Sequence, residues 1–184
     1  MQLPQDISLR PLEIEDTDAF YRWFSEPDIV RYSLSGFQYP RSKSDIVAWL
    51  RESNKEDKTV NFGITAAGSD EVIGYAGITS ISTINRSGEY FILIGERDSW
   101  GKGIGTIVTK KVIEYGFCSL GLHRIELTAF STNIGAIKAY ENAGFHHEGV
   151  KRQAGFRDGE FIDKVQMSIL ATEWPHSTER SPNV

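Results

Sequence analysis

The chain has 184 residues, 40% of them hydrophobic, and its 20 Lys and Arg residues against 25 Asp and Glu residues give a net charge of −5. This composition is typical of one globular domain with a sizeable core, so neither disulfides nor a structural metal is required. The only cysteine, Cys118, excludes an internal disulfide framework and multi-cysteine zinc sites, and it predicts a reducing, cytoplasmic location.

An acidic pI near 5.4, without any cluster of Lys or Arg, argues against nucleic acid or an anionic membrane as a partner. The longest apolar run, residues 90–94, is much shorter than the roughly 20 residues that cross a membrane. The first residues lack the basic and apolar regions of a signal peptide. We therefore expect neither export by that route nor a membrane span.

In chain order, the first half begins with a predicted strand at residues 7–12 and continues with two helices. The run Asp16-Thr17-Asp18 offers an N-cap for the first, an amphipathic helix rich in aromatic residues. The capping-box spacing of Ser42 and Asp45 predicts a second helix that ends near Ser53.

The middle of the chain has the alternation typical of β-strands. Three strands joined by short turns are predicted at residues 60–64, 72–81 and 89–95. Because the turns between them are short, we expect these strands to run antiparallel, as a meander.

The last third alternates between helix and strand. The predicted elements are a helix from residue 103 to before residue 121, a strand at residues 124–130, a helix at 133–143 and a last strand at 161–170. Such alternation requires at least one parallel strand pair, so we predict a mixed α/β sheet with helices on both faces. Residues 1–171 then form one domain, and residues 172–184 are a polar tail that frays.

A glycine-rich segment, Trp100-Gly101-Lys102-Gly103-Ile104-Gly105-Thr106, separates a predicted strand from a predicted helix. Glycines allow a close backbone approach, and the first amides of a helix are free to bind an anion, above all a pyrophosphate. The segment lacks the Walker pattern, and its glycine spacing and its place after an antiparallel strand do not fit a dinucleotide fingerprint. The remaining interpretation is a site for the pyrophosphate arm of coenzyme A.

The glycine-rich segment and the later run Asn133-Ile134-Gly135-Ala136-Ile137-Lys138-Ala139-Tyr140-Glu141-Asn142-Ala143-Gly144-Phe145 resemble motifs A and B of the GNAT acyl-CoA N-acyltransferases. Trp100 stands where the family usually has Gln or Arg, a change that leaves the backbone amides in place. Leu9-Arg10-Pro11-Leu12 and Gly155-Phe156-Arg157-Asp158-Gly159 are similar to the branch with ribosomal-protein N-terminal and spermidine acetyltransferases. The resemblance extends over residues 7–170.

The resemblance implies a GNAT-like fold in which the strand at residues 89–95 splays from its parallel neighbour at 125–130. The exposed backbone of the splayed strand would pair with the pantetheine arm of acetyl-CoA, the implied co-substrate, and no metal is implied. The implied cofactor-binding residues are Ile92, Leu93, Ile94, Trp100, Gly101, Lys102, Gly103, Ile104, Gly105, Thr106, Asn133, Ala136, Lys138 and Tyr140.

Two residues are candidates for catalysis. The match to motif B implies that Tyr140 faces the thioester sulfur and donates a hydrogen bond to the leaving thiolate. Glu89, at the start of the splayed strand, is the candidate base for the amine, directly or through water. The ordinary alternatives are a helix tyrosine at the edge of the core and a solvated glutamate at a strand end.

The implied function is N-acetyltransfer by direct attack of a primary amine on acetyl-CoA. The acceptor is left open among a polyamine, a protein N-terminus, an amino acid and an amino sugar, and Glu26 and Asp28 either recognise a cation or are surface charges. A non-catalytic acyl-CoA-binding module and an NAD-dependent oxidoreductase are the alternative classes. The branch also implies a homodimer, although no pattern in the chain itself indicates one.

Overall fold

The computed structural model describes residues 7–33, 38–53, 55, 57–66 and 68–175. The strands are β1 (Ile7–Arg10), β2 (Val60–Ala66), β3 (Val72–Ser82), β4 (Ser87–Ile94), β5 (Arg124–Phe130), β6 (His146–Arg157) and β7 (Glu160–Leu170). The helices are α1 (Thr17–Phe24), α2 (Pro27–Val30), α3 (Lys43–Glu52), α4 (Ile104–Cys118) and α5 (Ile134–Ala143). Over the described ranges, no helix combines the length and apolarity needed to cross a membrane.

All seven strands form one sheet in the order β1-β2-β3-β4-β5-β7-β6. Neighbouring strands are antiparallel except β4 and β5, which are parallel. The mixed sheet predicted from the sequence is therefore confirmed, including the β2-β3-β4 meander.

Helices cover both faces of the sheet, as predicted. On one face, α4 and α5 pack on the core that contains Ile78 of β3 and Ile125 of β5. On the other face, α1 and α3 enclose an aromatic core with Trp23 and Tyr75 at its centre, both at most 2% exposed. This second helical layer covers the β2–β4 half. The same face of β5 and β7 carries Phe130 together with polar side chains, among them Glu126, Lys164 and Ser168.

The helix starts follow the capping signals only in part. The predicted capping box forms at Ser42, whose hydroxyl accepts from the Asp45 amide at 3.2 Å, and α3 ends before Ser53. Helix α1 begins at Thr17, within the run Asp16-Thr17-Asp18 that was expected to supply its N-cap. Asp16 occupies the N-cap position, but its carboxylate does not cap the helix. That carboxylate binds Arg10 instead, with nitrogen-to-oxygen distances of 2.7 and 3.0 Å, which shows tertiary contacts overriding a local signal.

Two elements were not predicted, and one boundary differs. The short helix α2 was missed, and the strand at residues 161–170 was predicted without its partner β6. Strand β6 lies at the sheet edge, is mostly exposed and has two register shifts, so its sequence lacks regular alternation. Trp174, assigned to the polar tail, packs its ring 6.3 Å from that of Phe117, and residues 176–184 lie outside the described residues.

Candidate functional site

The parallel strands β4 and β5 separate soon after they begin. Only three pairs form between them, from Ser87 opposite Arg124 to Glu89 opposite Glu126. Beyond these pairs β4 stays bound to β3 and β5 stays bound to β7, up to their last residues. The predicted splay is thus present, and it leaves backbone groups on the facing edges of β4 and β5.

The alternation of hydrogen bonds decides which residues of β4 face this gap. The Gly95 amide donates to the Ile73 carbonyl at 2.9 Å, and in an antiparallel ladder every second residue pairs in this way. Leu93 therefore pairs with β3, whereas the amides and carbonyls of Ile92 and Ile94 point towards β5. The Ile94 carbonyl accepts from the Trp100 indole at 2.9 Å, so this tryptophan is fixed at the mouth of the gap.

A cleft of about 510 Å³ opens at the splay. The predicted site residues that line it are Ile92, Leu93, Ile94, Trp100, Gly101, Gly103, Ile104, Gly105, Thr106, Asn133, Ala136, Lys138 and Tyr140. Two predicted residues, Lys102 and Glu89, are not among the lining residues. Residues of β4, of the glycine-rich segment at the start of α4, and of α5 thus line one cavity.

The start of α4 forms one wall of the cleft. Gly101 and Gly103 have φ values of 72° and 77°, which side chains rarely adopt, and a Cβ at either position would meet no atom within 4 Å. The first amide bonded within the helix is that of Ile107, which donates to Gly103 at 3.2 Å. The preceding amides have no helical acceptor and lie at the positive end of the dipole, so they can bind an anion.

The start of α5 forms the opposite wall. The Asn133 side chain accepts from the Ala136 amide at 3.3 Å and caps the helix, one of its two expected roles. The Thr106 hydroxyl contacts the Ala139 carbonyl at 3.4 Å, which ties the two helices together. Lys138 is exposed at this wall, where its ammonium is free to meet a phosphate.

Tyr140 lies inside the cleft and is 9% exposed. Its ring makes edge contacts with Tyr90 and Phe145, each with centroids 6.0 Å apart. Burial raises the pKa of the Tyr140 phenol well above its usual range. The phenol is therefore protonated at neutral pH, and no partner for its hydroxyl occurs in the described part of the chain. It is available as a hydrogen-bond donor.

A buried hydroxyl pair, which the sequence did not suggest, connects β4 to the start of α4. The Tyr90 hydroxyl lies 3.0 Å from the Thr109 hydroxyl, and Thr109 donates to the Gly105 carbonyl at 2.6 Å. Burial raises the pKa of Tyr90 as well, so this link is also uncharged. The link therefore holds the start of α4 against β4.

Glu89 is the last residue of β4 that pairs with β5, so it lies where the two strands begin to separate. Strand alternation places its side chain on the face that carries Leu93 and the α1 and α3 helices. This is the face opposite Tyr140, whose neighbour Tyr90 points the other way. The arrangement puts the two catalytic candidates on opposite sides of the splay.

Apart from Asp28, a candidate for recognising a cation, the far end of the cleft consists of residues that the sequence did not identify. The residues at this end come from α2 and the loop after it and from the end of β5: Asp28, Ile29, Tyr32, Ser33, Thr128, Ala129 and Phe130. The Tyr32 and Phe130 rings lie 5.9 Å apart and give this end an aromatic wall. A four-residue helix has no periodic signal, and only the sheet register places Phe130 beside it.

Arg157 holds this wall in place. The arginine is 9% exposed, and its guanidinium donates to the carbonyls of Arg31 at 2.8 Å and Ser33 at 3.1 Å. It also lies 4.7 Å from the centre of the Phe130 ring. A residue of the run that resembles the spermidine acetyltransferase branch therefore positions the loop that lines the cleft.

A metal centre finds no support in the described ranges, where no three His, Cys, Asp or Glu side chains come together. His147 pairs with Glu141 at 2.8 Å, and His146 lies beside it on an exposed edge strand. Besides backbone amides and aromatic rings, the described lining of the cleft contains polar and charged side chains, among them Asn133, Lys138 and Asp28.

Comparison with known proteins gives consistent results. An acetyltransferase (GNAT) domain family matches residues 6–146, more than half of the chain. The uncharacterized N-acetyltransferase p20 of Bacillus licheniformis is 31% identical over 169 residues, which cover 91% of this chain and 94% of that protein. The spermidine N(1)-acetyltransferase of Vibrio cholerae is 27% identical over 173 residues, with 94% and 98% of the two chains covered.

The same similarity is found among solved structures. A crystal structure of spermidine N-acetyltransferase from Vibrio cholerae in complex with CoA and spermine matches 91% of this chain and 96% of that chain, with a TM-score of 0.82 and 27% identity. A dinucleotide-dependent oxidoreductase is thereby excluded, and the relatives are enzymes. The chain belongs to the GNAT acetyltransferase family and is an N-acetyltransferase that uses acetyl-CoA.

Proposed function

We propose that the chain transfers an acetyl group to the primary amine of a small acceptor by direct attack, with both substrates bound in the one cleft. The observation that carries the proposal is the continuity of this cleft from the amides of α4 to the aromatic wall at Tyr32 and Phe130. Two substrates in one cavity react with a large advantage of proximity. The small polyamines named for the relatives support a small acceptor over a protein N-terminus.

The proposed acetyl-CoA site uses the free backbone groups described above. The amides at Gly103 to Thr106 would bind the pyrophosphate. On the edge of β4, the backbone of Ile92 and the amide of Ile94 would pair with the pantetheine, since the Ile94 carbonyl already accepts from Trp100. The open space above Gly101 and Gly103 supports this fit, because a side chain there would fill the approach to the amides. When bound, acetyl-CoA supplies the thioester that is transferred.

The acceptor must lose a proton before it attacks. An amine with a pKa near 10.4 is neutral in only about one molecule in 2,500 at pH 7, a handicap of about 4.6 kcal/mol. Glu89 is the proposed base, directly or through water. The nitrogen then bonds to the acetyl carbon, the bond from carbon to sulfur breaks, and the sulfur leaves with the electron pair. The nitrogen loses its second proton to water as the amide forms, and the thiolate takes up a proton from water to become the free thiol.

Tyr140 is proposed to stabilise the leaving sulfur. Its phenol has an ordinary pKa near 10 against about 8.5 for a thiol, so complete proton transfer is uphill by about 2 kcal/mol. Burial raises the pKa of Tyr140 and increases this cost. Tyr140 therefore acts by donating a hydrogen bond to the developing thiolate rather than by giving up its proton.

The experiment is a thiol-release assay with acetyl-CoA and a panel of amines, preceded by a thermal-shift comparison of acetyl-CoA with NAD. We expect acetyl-CoA, and not NAD, to raise the melting temperature, because only a bound ligand stabilises the folded state. We expect amine-dependent thiol release with at least one small amine. Binding of acetyl-CoA without release for any amine would contradict the proposal. The single cysteine supports the cytoplasm as the place of this reaction.

A further inference from the structure

Three carboxylates at or near the acceptor end of the cleft, of which Asp28 lines it, have arginine partners. Glu26 and Asp28 both accept hydrogen bonds from Arg97, at 3.2 and 3.0 Å. Asp158 lies 2.9 Å from a guanidinium nitrogen of Arg31. A polycationic acceptor needs carboxylates that are free to receive its ammonium groups, and these three are not.

Lys164 of β7 is not among the residues that line the cleft, but it lies beside the lining residue Phe130 and has no such partner. It is half-buried opposite Phe130 in the sheet register, and its ammonium lies 4.8 Å from the centre of the Phe130 ring. Within the part of the chain that the structure describes, Lys164 forms no ion pair. An ammonium that is partly removed from water without a carboxylate is unfavourable, and a bound anion would relieve this cost.

Arg157 adds a second positive charge at the same ring. Its donors are used by backbone carbonyls, at 2.7 to 3.1 Å. The charge of Asp158 acts on Arg157, but the Asp158 carboxylate forms its ion pair with Arg31. Burial lowers the pKa of Lys164, and the nearby Arg157 lowers it further, while Glu89 acts in the opposite direction. The region around Phe130 therefore favours a negative charge on a bound molecule.

Glu89 lies opposite Glu126, and Lys164 lies opposite Phe130. Because Glu126 and Phe130 are an even number of residues apart on β5, all four side chains lie on the same face of the sheet. The charges of Glu89 and Lys164 influence each other, yet they do not form an ion pair with one another. A molecule with an ammonium at one end and a carboxylate at the other matches this arrangement. Its amine would lie towards the proposed base and its carboxylate towards Lys164.

We propose that the acceptor is an amine that also carries a carboxylate, and that Lys164 binds this carboxylate while Tyr32 and Phe130 contact the apolar part. The inference rests on the proposed function and specifies its substrate class. The carboxylate can come from a free amino acid or from an acidic side chain next to a peptide N-terminus, and the experiment separates these sources.

The first test compares acceptors on the full chain. Free amino acids, the corresponding amino-acid carboxamides, spermidine and a peptide with Glu at its second position are assayed for thiol release from acetyl-CoA. We expect kcat/KM to be at least tenfold higher for the free acids than for their carboxamides, with no turnover of spermidine. A peptide that exceeds the free acids would keep the carboxylate requirement and assign its source to a peptide. Equal values for acids and carboxamides would overturn the inference, as would spermidine as the best acceptor.

The second test uses variants at Lys164. We expect Lys164→Met to raise KM for the carboxylate acceptor at least tenfold, to leave kcat within twofold, and to remove the difference between acid and carboxamide. Lys164→Arg should restore part of the affinity, because it restores the charge. Lys55→Met, which removes an exposed lysine paired with Glu52, is the matched control and should change neither constant. An unchanged KM in Lys164→Met would refute the role of Lys164.

The outcomes separate the inference from the proposed function. Turnover of spermidine or of carboxamides alone would refute the inference and leave N-acetyltransfer to a small amine intact. Thermal stabilisation by acetyl-CoA without turnover of any amine would refute both. A retained melting temperature for Lys164→Met, measured with and without acetyl-CoA, shows that the variant is folded and binds the co-substrate.

Discussion

At the scale of single residues, the proposed mechanism uses two side chains that lie on opposite faces of the splay. Tyr140 is buried inside the cleft, whereas Glu89, which does not line the cleft, lies where β4 and β5 begin to separate, on the face that carries Leu93 and Lys164. In this proposal one side chain assists the leaving sulfur while the other accepts the proton of the amine. Each role has its own kinetic consequence.

Replacement of Tyr140 by Phe removes only the hydroxyl. We expect Tyr140→Phe to lower kcat at least tenfold while the Kd for acetyl-CoA stays within twofold, because the ring contacts with Tyr90 and Phe145 remain. Tyr115→Phe is the matched control, since Tyr115 packs on Phe62 and does not line the cleft. Wild-type turnover in Tyr140→Phe would show that the hydroxyl has no part in the reaction.

Replacement of Glu89 by Gln removes the proposed proton acceptor. We expect Glu89→Gln to lower kcat by about a hundredfold at neutral pH, and raising the pH should restore activity as more of the amine becomes neutral. Glu126→Gln is the control on the neighbouring strand, because Glu126 pairs with Arg124 at 2.8 Å. If both variants keep the wild-type pH profile, another group or water alone accepts the proton.

At the scale of elements, the cleft depends on contacts that hold loops against the sheet. The loop after α2 is held by Arg157 of β6, whose residue number is more than a hundred positions away. The start of α4 is held by the hydroxyl link from Tyr90 to Thr109. These contacts keep the two ends of the cleft at a fixed distance from β4.

The Arg157 contact can be removed by Arg157→Met, which keeps the apolar length of the side chain. The carbonyls of Arg31 and Ser33 lose a charged donor, so we expect the free energy of unfolding to fall by about 2 kcal/mol. Because the same loop lines the cleft, KM for the acceptor should rise more than the Kd for acetyl-CoA. Denaturant titration and steady-state kinetics measure the two effects. Arg152→Met, on the exposed part of β6, should show neither.

The elements differ in how far the sequence could predict them. The meander, α4, β5 and α5 were predictable because their apolar residues repeat regularly, and the glycine-rich segment lies between two such elements. Helix α2 and strand β6 were not, because one is too short and the other too exposed to show a period. The acceptor wall at Tyr32 and Phe130 is formed by tertiary register, which local patterns do not contain.

At the scale of the whole molecule, the face of β5, β7 and β6 opposite α4 and α5 contains a charge network that contributes to stability. Arg124 donates to Glu126 and Glu148, and the Ser168 hydroxyl donates to Glu148 at 2.7 Å. These contacts, above all the one with Arg124, lower the pKa of Glu148 to about 2. A carboxylate with a lowered pKa stabilises the fold above its unfolded pKa and loses this effect as the pH falls towards the folded value.

We expect the melting temperature of the wild type to exceed that of Glu148→Gln at pH 7. The difference should persist down to about pH 4.5 and disappear as the pH approaches about 2. The side chain is 34% exposed, so solvent screening limits the effect to about 1 kcal/mol. Glu52→Gln, which loses only an exposed pair with Lys55, is the control. A difference that is independent of pH would show that the network does not act through the Glu148 charge.

The fold as a whole was predictable because two motifs occur in the right order on the right elements. The acceptor was not, because its recognition depends on which charges remain unpaired after folding. From the sequence, Glu26 and Asp28 were candidates for recognising a cationic substrate. In the folded chain, both carboxylates form ion pairs with Arg97. No pattern in the sequence pointed to Lys164, because only the pairing of β5 with β7 places it beside Phe130.

The central claim is that the gap between β4 and β5 binds the arm of coenzyme A and that the amides at the start of α4 bind its pyrophosphate. A crystal structure of the chain with coenzyme A tests it most directly. We predict the pantetheine between β4 and β5, bonded to the backbone of Ile92 and Ile94, with the pyrophosphate at Gly103 to Thr106. Coenzyme A bound elsewhere, or β4 and β5 paired along their full length, would contradict the claim.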